Sequence, residues 1–110
     1  MEIDIRNVAQ VAVVQISGEI DGKTAPEVQS QVLPLIQPDA KILLDMSQVG
    51  YMSSAGLRML LVTYRQVTSS QAAIVLVGLS EAIQDTMSAT GFLGYFTTCD
   101  TVDAGLAALE

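Results

Sequence analysis

The 110-residue chain has no histidine, no tryptophan, one cysteine, three prolines and only five basic residues. Each shortage removes a class of chemistry. Without histidine there is no Ser-His or Cys-His catalytic pair, and one thiol cannot build a Cys/His zinc site. Cys99 has no partner for an internal disulfide, which fits a reducing compartment. Five bases against twelve acids leave a formal net charge of −7. That balance opposes direct nucleic-acid binding along phosphates and docking on anionic lipid. The densest apolar stretch, Ala72 to Leu79, is far short of the roughly 20 residues that span a bilayer, so no membrane insertion is expected. Met1-Glu2-Ile3-Asp4 lacks the basic start and apolar run of a signal peptide, and a cytoplasmic location is expected. Nothing resembles a coiled-coil seam, and the free protein is expected to be a monomer.

What the chain does have is apolar content: half its residues are hydrophobic and only 15% are charged. That is enough to bury one core, and residues 1–110 read as a single domain. Val11 to Ile16 is a β-branched run closed by Ser17-Gly18, and Glu2 to Arg6 alternates as an edge strand does, with Asn7 to Gln10 turning between them. Lys41–Asp45 and Ala73–Gly78 are further short apolar runs of the kind found in central strands, and Tyr95–Cys99 reads as a last strand. Between these runs the period changes to that of helices. Thr24 and Glu27 have the spacing of a capping box, with Pro26 in the first turn, and Val28, Val32, Leu35 and Ile36 follow on one face. Pro34 should bend or end that helix, because an interior proline costs about 3 kcal/mol. Leu57, Leu60, Leu61, Tyr64 and Val67 form a second helical stripe over Ser54 to Thr68. Ser80 caps a third helix with Ile83 and Met87, stopped at Gly91, and Thr101 caps a fourth with Val102, Leu106 and Leu109. Strands alternating with helices predict an α/β fold: a mixed, mostly parallel β-sheet with an antiparallel edge hairpin, packed with about four helices.

Catalytic machinery is not evident. The glycine-flanked nucleophile elbow is absent around Ser53 and Ser54, as is a phosphate loop, and Lys23 and Lys41 lie in no catalytic motif. Asp21, Asp45 and Asp85 could hold magnesium but do not cluster in sequence. No catalytic residue, metal ligand or cofactor is assigned, and the chain is read as non-enzymatic. The segment that stands out is Asp45 to Leu57, read as leaving a buried strand, running through a polar turn and starting the longest helix. Loops at the carboxyl ends of parallel strands face a ligand or partner crevice. Ser53 and Ser54 therefore fall where a helix N-terminus favours an anion, and equally where one of them is a plain N-cap.

The pattern Asp45-x-Ser47-x-Val49-x-Tyr51-Met52-Ser53-Ser54-Ala55-Gly56-Leu57 resembles the signature of the anti-sigma factor antagonists, the STAS-domain family. Gly18-Glu19-Ile20-Asp21 followed by Thr24-Ala25, and the Gly91-Phe92 turn, are similar to further family segments, and the element order fits over the whole chain. The resemblance implies a phosphoacceptor at Ser54, with Ser53 the alternative, and a partner-binding surface at Asp21, Thr24, Met52, Ser53, Gly56 and Leu57. It implies as partners an anti-sigma factor that is also a serine protein kinase, and a PP2C-type phosphatase. Unphosphorylated, such a protein binds the anti-sigma factor and releases its client; phosphorylation ends the complex. Met52 and Leu57, where partly exposed, would supply apolar contacts beside Ser54. One position departs from the pattern: Ser53 stands where many relatives carry Asp. That departure is in keeping with a second reading, a non-phosphorylated STAS interaction subunit of another complex, such as a lipid-transport assembly or a stress-signalling scaffold.

Overall fold

β-Branched and aliphatic runs become the strands, and amphipathic stretches become the helices that cover them. The computed structural model describes residues 1–110. In chain order the elements are β1 (Glu2–Val8), β2 (Val11–Ile20), α1 (Ala25–Val32), β3 (Lys41–Met52), α2 (Ser54–Ser69), β4 (Ala73–Val77), α3 (Glu81–Ala89), β5 (Thr97–Cys99) and α4 (Val102–Ala108). Short 3-10 turns occupy Leu33–Leu35, where Pro34 ends the first helix, and Leu93–Tyr95. The sheet order follows the sequence, β1-β2-β3-β4-β5. β1 pairs antiparallel with β2, and the remaining pairs are parallel.

Side-chain alternation gives the sheet two apolar faces. Val14, Ile16, Ile42, Leu44 and Leu76 face one way and pack with Val28 and Val32 of α1, Leu57 and Leu60 of α2, and Ile83 and Met87 of α3. Val11, Val13, Leu43, Val75 and Val77 face the other way, against Leu109, Leu106 and Val102 around α4. Three helices thus cover one face and one short helix covers part of the other, which explains why β3 and β4 read as continuous apolar runs.

Several boundaries differ from the sequence expectation. β2 does not stop at Ser17-Gly18: it continues to Ile20 because β3 runs beside it as far as Met52. The stretch expected as a polar turn after Asp45 is therefore strand. Its polarity comes from Ser47, Gln48, Gly50 and Tyr51, which are exposed while Met46, Val49 and Met52 are buried. Register shifts in the β2–β3 pairing break the usual alternation, and Gly18 adopts φ +117° there. Thr24 does not form the capping box expected with Glu27: its backbone is helical (φ −95°, ψ −24°) and its hydroxyl accepts no N–H from the first turn of α1. The hairpin turn is only Ala9-Gln10, and the last strand is trimmed at its start by the 3-10 turn.

Candidate functional site

β2 and β3 end together, and each hands the chain to a helix on the same face. The N–H of Ser53 donates to the Ile20 carbonyl at 2.8 Å, tying the start of α2 to the end of β2. Ser53 has extended backbone (φ −80°, ψ 177°), and its Oγ accepts the Gly56 N–H at 3.4 Å. Ser53 is thus the N-cap of α2, its hydroxyl oxygen accepting from the helix's first turn. Ser54 is the first helical residue and is exposed. The choice between the two serines, open in the sequence, is a difference in geometry: one oxygen caps and the other lies on the surface.

The rest of the segment is framework. Gly56 is buried, and a β-carbon added to it would lie 2.5 Å from Met52 Cγ, 2.8 Å from Ile20 Cγ2 and 3.1 Å from the Ile20 carbonyl oxygen. The glycine lets α2 approach the strand ends closely enough for the Ser53–Ile20 bond to form. Met52 and Leu57 are only 7% and 6% exposed and belong to the main core. Partial exposure, the condition for apolar partner contacts beside Ser54, is not met by either: both side chains hold α2 on the sheet. Tyr51, by contrast, is 52% exposed.

The neighbouring turn is held by Asp21 and Thr24. The Asp21 carboxylate accepts the backbone N–H groups of Lys23 (2.9 Å) and Thr24 (3.1 Å). Thr24 Oγ1 accepts the Asp21 N–H at 2.9 Å and donates to the Glu19 carbonyl at 2.7 Å. Those N–H groups, Lys23's first and then Thr24's, lower the Asp21 pKa from its ordinary 3.8 by stabilising the ionised form. Asp21 and Thr24 therefore shape the loop ahead of α1, next to Ser53 and Ser54.

Two features escaped the sequence reading. Asp45 is buried, and its carboxylate accepts the Ser47 N–H (3.1 Å) and Ser47 hydroxyl (2.7 Å), so the Asp-x-Ser pair is an internal bracket within β3. The Asp-x-Ser spacing is in the sequence, but only the fold shows the bond. The second is a groove of about 200 Å³ between α1 and α2, lined by Gly22, Ala25, Pro26, Ala55, Arg58 and Met59. The four-residue step from Ser54 to Arg58 could have signalled that both share one side of α2.

A capped helix start, a serine on its first turn and a bracketed strand leading into it are together the geometry that the signature describes. The STAS domain family model matches residues 2–105. The chain belongs to the STAS domain family. This STAS domain is 35% identical over 78 residues to the anti-sigma-B factor antagonist of Listeria monocytogenes, covering 69% of this chain and 68% of that protein. Its fold is similar to that of an anti-sigma factor antagonist from Mycobacterium paratuberculosis, with a TM-score of 0.86, 28% identity and coverage of 98% and 92% of the two chains. It is also similar in fold to the Bacillus cell fate determinant SpoIIAA in its phosphorylated form: TM-score 0.75, 14% identity, 99% and 100% coverage. No helix of this STAS domain is long and apolar enough to cross a membrane.

Proposed function

We propose that this STAS domain is an anti-sigma factor antagonist working as a partner switch in the cytoplasm, with Ser54 as its phosphoacceptor. Unmodified, it binds an anti-sigma factor that is also a serine kinase and so frees the client that factor held. The kinase moves the γ-phosphoryl group of ATP onto Ser54 Oγ, releasing ADP and the hydroxyl proton; a PP2C-type phosphatase hydrolyses the ester with water, returning the serine hydroxyl and inorganic phosphate. The domain itself turns nothing over.

The observation that carries this reading is the exposure of Ser54 on the first turn of α2 while Ser53 does the capping. A phosphate there adds about −1.5 to −2 charges and three acceptor oxygens. The helix dipole favours a negative group at its N-terminus by about 0.3–2 kcal/mol, so the fold tolerates it. A partner that must bury the dianion without a cation loses several kcal/mol, and each 1.4 kcal/mol is tenfold in affinity. Asp21, Thr24 and Ser53 would frame that docking face, with Met52, Gly56 and Leu57 supporting it from beneath.

The test is intact-mass analysis of protein from its host, with site localisation, alongside binding assays with an anti-sigma factor kinase. Ser54→Ala should retain binding and take up no phosphate; Ser54→Asp should weaken binding by about a hundredfold with a nearly unchanged melting curve. Stoichiometric phosphorylation of Ser54→Ala would move the acceptor to Ser53. The Ser at position 53 also favours a second reading, an interaction subunit that is never phosphorylated. Absence of phosphate in every growth state, with a stable complex recovered, would select it.

A further inference from the structure

We propose that Arg58 is the counter-ion that a phosphate on Ser54 captures, so that one modification both adds a dianion and withdraws a cation from the docking face. The inference rests on the phosphorylation reading above. Ser54 and Arg58 are the first and fifth residues of α2, and both are exposed. Residues four apart on a helix have β-carbons about 5–6 Å apart, and an acid placed N-terminal to a base at this spacing is the better orientation. A guanidinium presents a planar fork that takes phosphate oxygens two at a time.

The charges around the helix start leave Arg58 available. α2 contains Arg58 and Arg65 and no Asp or Glu, on a chain of net charge −7. The turn and helix packed beside it contribute Asp21, Lys23 and Glu27. The Asp21 carboxylate is already engaged by the Lys23 and Thr24 N–H groups, and Glu27 is exposed. Lys23 is the competing cation, but it belongs to another segment and offers a single ammonium. In the unmodified protein Arg58 lines the α1–α2 groove, where a partner's carboxylate can reach it. Once Ser54 is phosphorylated, that guanidinium is taken by the phosphate.

The experiment uses the full chain with phosphoserine installed at position 54, in wild-type, Arg58→Gln, Arg58→Lys and Lys23→Gln backgrounds, and titrates the phosphate by phosphorus NMR. A phosphoserine ordinarily loses its second proton near pH 6. Arg58→Gln should raise that value by about half a unit, Arg58→Lys should restore part of the loss, and Lys23→Gln should leave it unchanged. Superimposable titrations of wild type and Arg58→Gln overturn the proposal, as does a shift caused by Lys23→Gln instead. Failure of the underlying reading looks different: protein from its host would carry phosphate on Ser53 or none at all, while the titration of the installed group would still depend on Arg58.

Discussion

Gly56 has no room for a side chain, because Met52, Ile20 and the Ile20 carbonyl already occupy the space. Gly56→Ala gains helix propensity worth about 1 kcal/mol but forces apart the contact between α2 and the end of β2. The expected net result is destabilisation by about 1–3 kcal/mol, read from denaturant midpoints, with weakened partner binding as Ser53 and Ser54 shift. A Gly56→Ala protein as stable as wild type would show that α2 can be repositioned freely. Asp21 makes a second residue-scale claim. Its pKa is lowered in the fold, first by the Lys23 N–H and then by that of Thr24, so the unfolded chain binds the proton more readily. The stability it contributes is present above its ordinary value of 3.8 and is lost as pH falls through the lower folded value. Melting temperatures measured from pH 7 down to about pH 3 should fall less steeply for Asp21→Asn than for wild type.

At the scale of elements, the β1–β2 hairpin departs most clearly from local preference. Ala9 and Gln10 form its two-residue turn with φ of 51° and 67°, a conformation that suits Asn-Gly. A non-glycine residue in the left-handed region costs about 1–2 kcal/mol, and glycine's extra chain entropy offsets part of the relief. Replacing Ala9-Gln10 with Asn-Gly should stabilise the protein by about 0.5–1 kcal/mol in equilibrium unfolding, with no effect on partner binding at the far end of the sheet. The hairpin was readable from alternation, yet its turn residues gave no warning, since the pairing of Val8 with Val11 imposes the turn. The reverse happened after Asp45. Polar residues there read as a loop, and only the neighbouring end of β2, with its shifted register, makes them strand. At α1 the Thr24–Glu27 spacing matched a cap that Asp21 displaces by engaging the loop backbone first.

At the scale of the molecule, the sheet separates two apolar clusters, and the site belongs to the larger one. α4 is held on the opposite face through Gly105, where a β-carbon would lie 2.7 Å from Val77 Cγ2 and 2.8 Å from Leu43 Cδ1. Gly105→Ala should loosen α4, lower stability by about 1–3 kcal/mol and speed proteolysis near the C-terminus. Ser54 chemistry and partner affinity should be unchanged at temperatures where the fold persists, because the perturbed contacts lie across the sheet. A loss of binding in Gly105→Ala comparable to that in Gly56→Ala would show that the two faces are coupled.

The sequence by itself determined the α/β alternation, the identity of most core side chains and the segment carrying the family signature, because hydrophobic period and local signature are written in neighbouring residues. It left open which of Ser53 and Ser54 caps α2 and whether Met52 and Leu57 reach the surface, and it left the Asp45–Ser47 bond unseen. Those were decided by tertiary structure. The side-by-side ends of β2 and β3, pressed against α2 at Gly56, determine which oxygen caps the helix and which side chains are buried, and no run of adjacent residues contains that contact.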